Sequence, residues 1–235
     1  MRINVISFFL LVIAWSLTAC AMNNGSKKVS KSDMATKQIM EVTTFKINSE
    51  VDPATFAERD ARVESDFASN QPGFIKRQSG LDEEGNYAVV VFWESISDAE
   101  ASMGKFMGDP SVADYAQMID GPTMNMSRYT MDKEFKAENS RFVEIMSFNV
   151  NPGTDMEKFE VINQRVETDF TGKREGFLQR LTGTNESGKQ VVAVYWKNKT
   201  TSDASLQPFM EAPISKEFMQ KMDQSSMAMG RYNFL

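Results

Sequence analysis

Four kinds of side chain able to handle an organic anion recur at one interval along this chain. Glu41 and Glu144, Arg77 and Arg180, Trp93 and Trp196, and the adjacent pairs Arg128-Tyr129 and Arg231-Tyr232 all stand 103 positions apart. A guanidinium fixed on a strand can grip an anionic ligand oxygen with its fork of N–H donors, while Trp and Tyr wall an apolar pocket. The competing reading gives each Trp to a buried core and each Arg to a surface ion pair worth little. Recurrence alone does not choose between them, because a recent duplication preserves neutral residues too. The absent residues narrow the chemistry further. The chain has no histidine and a single cysteine. That excludes a Ser-His-Asp triad, a Cys-His pair, a histidine-ligated haem or metal and an intrachain disulfide. No GxGxxG, Walker loop or metal triad occurs either.

Methionine is the remaining candidate for metal chemistry, with 17 copies. Met124 and Met126, and likewise Met227 and Met229, lie two apart and so share one face of a strand. Thioethers suit Cu(I), but methionine also fills irregular cores. With no His, Cys or Met-rich loop to complete a ligand set, these residues read as core and no metal site is assigned.

The elements that must position these groups come from one unit written twice. Shifted by 103 positions, the chain lies on itself without a gap. Arg62-Val63-Glu64-Ser65-Asp66-Phe67 meets Arg165-Val166-Glu167-Thr168-Asp169-Phe170, Gly73-Phe74 meets Gly176-Phe177, and Phe106-Met107 meets Phe209-Met210. About a third of the aligned positions are identical, which marks a tandem duplication of a small domain. The boundaries fall at 38–131 and 141–235, with 132–140 (DKEFKAENS) as the joint. Within the first copy, 40–47 alternates like a strand, and Asp52-Pro53 opens a helix as N-cap and first residue. Phe74–Leu81 and Tyr87–Trp93 read as strands around a Glu83-Glu84-Gly85-Asn86 turn. Ser97 opens a second helix that breaks near Gly108-Asp109-Pro110, and 123–131 is the last strand. The order β-α-β-β-α-β is the ferredoxin-like unit, and the class is α+β.

The run PGFIKRQSGLDEEGNYAVVVFWES, the later FMGDPSVADYAQMID and the strand MNMSRYTM resemble the dimeric α/β-barrel superfamily, and within it the antibiotic-biosynthesis-monooxygenase type. The likeness covers nearly all of both copies. It implies that the two ferredoxin-like units pack sheet to sheet, so that one chain supplies both halves of a pseudo-dimeric barrel and is a monomer. It further implies a reaction without a cofactor. Some relatives oxidise phenolic or polyketide-like substrates with oxygen, the substrate anion supplying the electrons. On that model Arg77, Arg128, Arg180 or Arg231 steadies the anion, and Glu41 or Glu144 acts as base if burial raises its pKa. Relatives that degrade haem depend on histidine, and this chain departs from them completely.

The first 20 residues, MRINVISFFLLVIAWSLTAC, carry Arg2, an apolar stretch from Val5 to Leu17, and Leu17-Thr18-Ala19-Cys20. The apolar stretch suits a signal sequence and is short for a transmembrane helix. The box resembles that of bacterial lipoproteins, which implies a signal peptide at 1–19 and a lipidated Cys20. Ala21, in place of an inner-membrane-retaining Asp, favours the outer membrane if the source is Gram-negative. Residues 20–37 then form the lipidated cysteine and a polar tether. The net charge of −6 argues against nucleic acid.

These readings combine into an envelope protein, anchored to a membrane through lipid, whose barrel binds a small apolar, aromatic or quinone-like molecule. Arg77, Trp93, Arg128, Tyr129, Arg180, Trp196, Arg231 and Tyr232 are the candidate ligand contacts. The alternatives are a cofactor-independent monooxygenase acting on phenols or quinols, and a non-catalytic interaction module of the envelope. Drift between the copies, such as Gln71-Pro72 against Arg174-Glu175, suggests that one site at most stays competent.

Overall fold

The computed structural model describes residues 37–235. The expected signal peptide, Cys20 and the expected tether up to residue 36 lie outside the described residues. Strands β1 (Ile39–Ile47), β2 (Phe74–Leu81), β3 (Tyr87–Trp93) and β4 (Ile119–Met131) build the first half, with helices α1 (Pro53–Asp66), α2 (Ile96–Phe106) and α3 (Ala113–Met118). The second half repeats the order as β5 (Phe142–Val150), α4 (Met156–Arg165), β6 (Phe177–Thr184), β7 (Gln190–Trp196), α5 (Lys199–Glu211), α6 (Pro213–Met219) and β8 (Met222–Phe234). Local chemistry sets the starts. Asp52 accepts from the Thr55 amide, with Pro53 in the first turn, and Asp155 accepts from the amides of Glu157 and Lys158. Ser95, not Ser97, caps α2, its hydroxyl accepting from the Asp98 amide at 3.1 Å.

All eight strands close into one antiparallel barrel in the order β1-β3-β2-β8-β5-β7-β6-β4. Each half is a ferredoxin-like unit, and the fold is the pseudo-dimeric α/β barrel within a single chain. The two seams between halves are short. Gly80 and Leu81 of β2 pair with Phe234 and Asn233 of β8, and Thr130 and Met131 of β4 pair with Thr184 and Gly183 of β6. Glycine is required here by close approach. A Cβ on Gly183 would meet the Thr130 carbonyl oxygen at 2.7 Å, and one on Gly80 the Tyr232 Cβ at 2.8 Å.

The sheet's two faces build three cores. Inside the barrel lie Met40, Val42, Val90, Phe92, Leu181 and Tyr195 among others. The outer face of each half packs under its own helices, with Phe56, Val63 and Trp93 in one core and Phe159, Val166 and Trp196 in the other. β3 and β7 are therefore buried at every position, which explains why they are apolar and rich in β-branched residues from Tyr87 to Trp93 and from Val191 to Trp196. The joint 132–140 is more than a spacer. Phe135 enters the barrel and stacks on Phe92 at 4.4 Å between ring centroids, and Gln38 Oε1 accepts from its amide at 2.8 Å.

Candidate functional site

Because β-strand side chains alternate, Arg128 and Tyr129 cannot share a pocket. Tyr129 and Tyr232 belong to the barrel interior, whereas Arg128 and Arg231 point to the helix side, where they pair with Glu41 and Glu144. This corrects the expectation of one pocket walled by Arg, Trp and Tyr together. Trp93 and Trp196 are both buried in the sheet–helix cores, as the core reading expects, and each indole N–H is without a partner among the described residues.

On the outer face each half holds a cavity between sheet and helices. The one in the second half measures about 250 Å³ and is lined by Trp196, Phe209, Phe218 and Leu206, a set of methionines, and the polar groups Glu144, Thr171, Arg180 and Ser205. Its counterpart in the first half measures about 120 Å³ and is lined by Phe67, Phe106 and Tyr115 with Glu41, Arg77 and Ser102. Met227 and Met229 line the larger cavity, and with Met124 they are 43%, 48% and 50% exposed. They are not core residues, contrary to the sequence reading. Flexible thioethers at a cavity rim adapt to differently shaped apolar guests.

Two charged clusters sit at equivalent places in each half. In the first, Glu41 and Arg128 stand directly opposite one another on β1 and β4, and Glu144 and Arg231 do so on β5 and β8. Arg128 Nε donates to Glu41 at 2.5 Å. Burial raises the Glu41 carboxyl above its ordinary value, and Arg128 opposes that. Glu144 accepts from Arg231 Nε at 3.2 Å and from the Ser202 hydroxyl at 2.5 Å. Arg231 also donates to Asp203 at 2.7 Å. Each glutamate is thus held in place by an arginine on the neighbouring strand.

The second cluster differs between halves. Arg77 on β2 is buried and forks onto Asp60 of α1, with Nη2 at 2.5 Å from Oδ1, and it donates to the Tyr115 hydroxyl at 3.3 Å. Burial pulls its pKa down, and Tyr115 and Asp60 more than reverse that. Burial likewise pushes the Tyr115 phenol up. At the equivalent place Arg180 on β6 donates to the Asn163 side-chain oxygen at 2.6 Å and its backbone carbonyl at 3.1 Å, and its guanidinium lies 5.7 Å from the centre of the Phe218 ring. Asn163 stands where the first half has Asp60, and Phe218 where it has Tyr115. Arg180 forms no ion pair among the described residues, and burial lowers its pKa to about 10. Both arginines are buried, against the surface reading of the sequence. Asp60, Asn163, Tyr115, Phe218 and Ser202 were not singled out from sequence, although the offset of 103 displays the first two exchanges.

The helix over the larger cavity also differs. α4 runs into a wide π-type turn at Val166–Phe170, where α1 stays α-helical to Asp66, and both halves then make a 3₁₀ turn, at Thr171–Lys173 and Ala68–Asn70. Such π-type turns occur often at functional sites. Val166 and Thr171, at and just beyond the π-type turn, both line the cavity.

No family model and no curated protein matches this sequence. Solved structures do resemble it. A nominal monooxygenase from Fusobacterium nucleatum superposes with a TM-score of 0.61 at 17% identity, over 86% of this chain and 93% of that one. An anthrone oxidase-like protein gives 0.62 at 12% identity, over 85% and 92%. A chlorite dismutase from Candidatus Nitrospira defluvii gives 0.56 at 9% identity, over 83% and 91%. At such identities the likeness speaks for architecture, and the architecture it shares is the dimeric α/β barrel.

Proposed function

We propose that the protein binds a small, largely apolar molecule in the second-half cavity. The observation that carries this reading is the cavity itself: about 250 Å³ between sheet and helices, apolar over most of its wall, with a few convergent polar groups and a buried arginine. The smaller first-half cavity, whose arginine, Arg77, is paired with Asp60, serves the fold. Glu144 and Arg231 act here as a fixed dipole at the wall of the site. Titration of the full chain with planar aromatic ligands, followed by calorimetry, tests this. Binding that Leu206→Trp blocks supports it; binding that survives this substitution removes the second-half cavity as the site.

A second reading is cofactor-independent oxygenation in the same cavity, supported by the neighbours named as a monooxygenase and as anthrone oxidase-like. For an anthrone-type methylene the balance is simple. The substrate loses its two methylene hydrogens, one oxygen atom of O₂ becomes the ketone, and the other leaves as water. The protein's part is to favour the substrate anion beside Arg180 and to keep water out. Oxygen uptake with hydroquinones and anthrones decides between binding and turnover. A third reading, an interaction module of the envelope without a ligand, is the one left if neither occurs.

The location is proposed from sequence. Cys20 is the first residue of the mature chain, carries lipid and anchors the protein to a membrane of the bacterial envelope, the outer one if the source is Gram-negative. Among the described residues no helix is long and apolar enough to cross a membrane. The intact mass of membrane-extracted protein checks this, and a Cys20→Ala form that stays membrane-bound ends it.

A further inference from the structure

The exchange of Asp60 for Asn163 alters the charge of a buried site while leaving its geometry nearly intact. In both halves the guanidinium donates to the same backbone carbonyl and to the side chain of the same residue: Arg77 to Asp60 at 3.2 and 2.5 Å, Arg180 to Asn163 at 3.1 and 2.6 Å. Only the first half supplies a negative charge. The second also replaces the Tyr115 hydroxyl, a hydrogen-bond partner of Arg77, with the bare ring of Phe218.

Arg180 is 2% exposed. A buried charge without a partner is costly, and proteins normally pair it. The acids that act on Arg180 are Glu167, Asp132 and Glu160, none of which forms an ion pair with it. Glu144 also lines the cavity, but its charge is taken up by Arg231. A mostly apolar cavity thus has in its wall one positive charge without an ion-pair partner among the described residues, at the place where the smaller cavity has a closed ion pair.

We infer that the second-half cavity is selective for an apolar oxyanion, a flat or compact hydrocarbon body bearing one carboxylate or phenolate-like group, whose charge is held by Arg180. The inference rests on the reading of the cavity as a binding site and names the class of its ligand. In the first half the Asp60 carboxylate is a built-in source of that negative charge. The ligand's charged oxygens supply Arg180 with the countercharge that Asp60 supplies to Arg77, while Asn163 keeps its own hydrogen bonds to the guanidinium, and the apolar body fills the methionine-rimmed space.

The test compares two probes of nearly equal shape, 2-naphthoate and 2-naphthamide, by calorimetry on the full chain at neutral pH. The natural chain should bind the carboxylate at least about tenfold more tightly than the amide, the range of one charge-assisted hydrogen bond. In Asn163→Asp the cavity gains its own counter-ion, and the ratio should fall to near one. The double variant Asn163→Asp/Phe218→Tyr, which copies the whole first-half cluster, should do the same and serves if the single variant folds poorly. A ratio near one in the natural chain, or a preference that both variants retain, overturns the assignment to Arg180 while the cavity reading stands. Failure of both probes to bind overturns the cavity reading and this inference with it.

Discussion

The two halves share a backbone plan but solve one electrostatic problem differently. In the first, a buried arginine is closed off by Asp60 and Tyr115, and the space beside it shrinks to about 120 Å³. In the second, the same arginine keeps its hydrogen-bond geometry, loses the countercharge, and borders about 250 Å³ of mostly apolar space. A duplicated fold can thus hold one copy as a strut and let the other keep a reactive or binding group at full charge. The cost of doing so is instability in the unliganded second half, and that cost is measurable.

The largest effect should come from breaking the closed pair. Asp60→Ala leaves Arg77 buried without a countercharge, and we expect a loss of about 3–5 kcal/mol in unfolding free energy. Asn163→Ala removes only a neutral acceptor and should cost about 2 kcal/mol. Urea denaturation of both variants reads the difference. Equal losses would mean that the two arginines are held in the same way and that the contrast between halves is only apparent.

Much of this fold was legible before any coordinates. The offset of 103 displayed the duplication, and the limits of β2 and β3 followed from the turn at Glu83–Asn86 and from the apolar, β-branched run Tyr87–Trp93. The site was less legible, for three physical reasons. Burial cannot be read from residue type, so the sequence could not choose between a ligand contact and a surface ion pair for Arg77 and Arg180, and both are buried. The opposite faces of Arg128 and Tyr129 do follow from strand periodicity, and placing them in one pocket overlooked it. The exchanges at Asp60 and Tyr115 were visible in the aligned copies, yet they gain meaning only when both are seen to touch the same guanidinium. The π-type turn at Val166–Phe170 left no signal, since Arg165–Phe170 differs from Arg62–Phe67 only by Thr168 for Ser65.

The seams offer the next comparison, since both join the halves through only two residue pairs. At Gly183 an added Cβ meets a backbone carbonyl at 2.7 Å, whereas at Gly80 the nearest backbone oxygen, that of Asn233, lies at 3.0 Å. Backbone yields less readily than side chain, so Gly183→Ala should cost more than Gly80→Ala, within about 1–3 kcal/mol. Thermal unfolding of the two variants ranks them. The reverse order would place the tighter junction at β2–β8.

Completing the open cluster should act in the opposite direction. Asn163→Asp places a carboxylate beside Arg180, and with no ligand present the variant should be more stable at pH 7 by on the order of 1 kcal/mol. A variant less stable than the natural chain at pH 7 would show that burying the second charge outweighs the pair.

The smallest effect concerns the cluster that both halves retain. Glu41 is buried, and burial raises its pKa against the pull of Arg128. A raised folded value means that the folded state holds the proton more firmly than the unfolded chain does. Glu41 therefore contributes fully below its ordinary value of 4.5, and that contribution is lost as the pH rises through the folded value. Glu41→Gln, which cannot ionise, lacks this dependence. The difference in unfolding free energy, natural chain minus variant, should decline from pH 4.5 upward and level off above the folded value. Urea titrations at half-unit pH steps measure it. A difference that grows with pH would show that Arg128 outweighs burial and holds the carboxylate charged, which would make the first half as fully ion-paired at its Glu–Arg cluster as it is at Arg77 and Asp60.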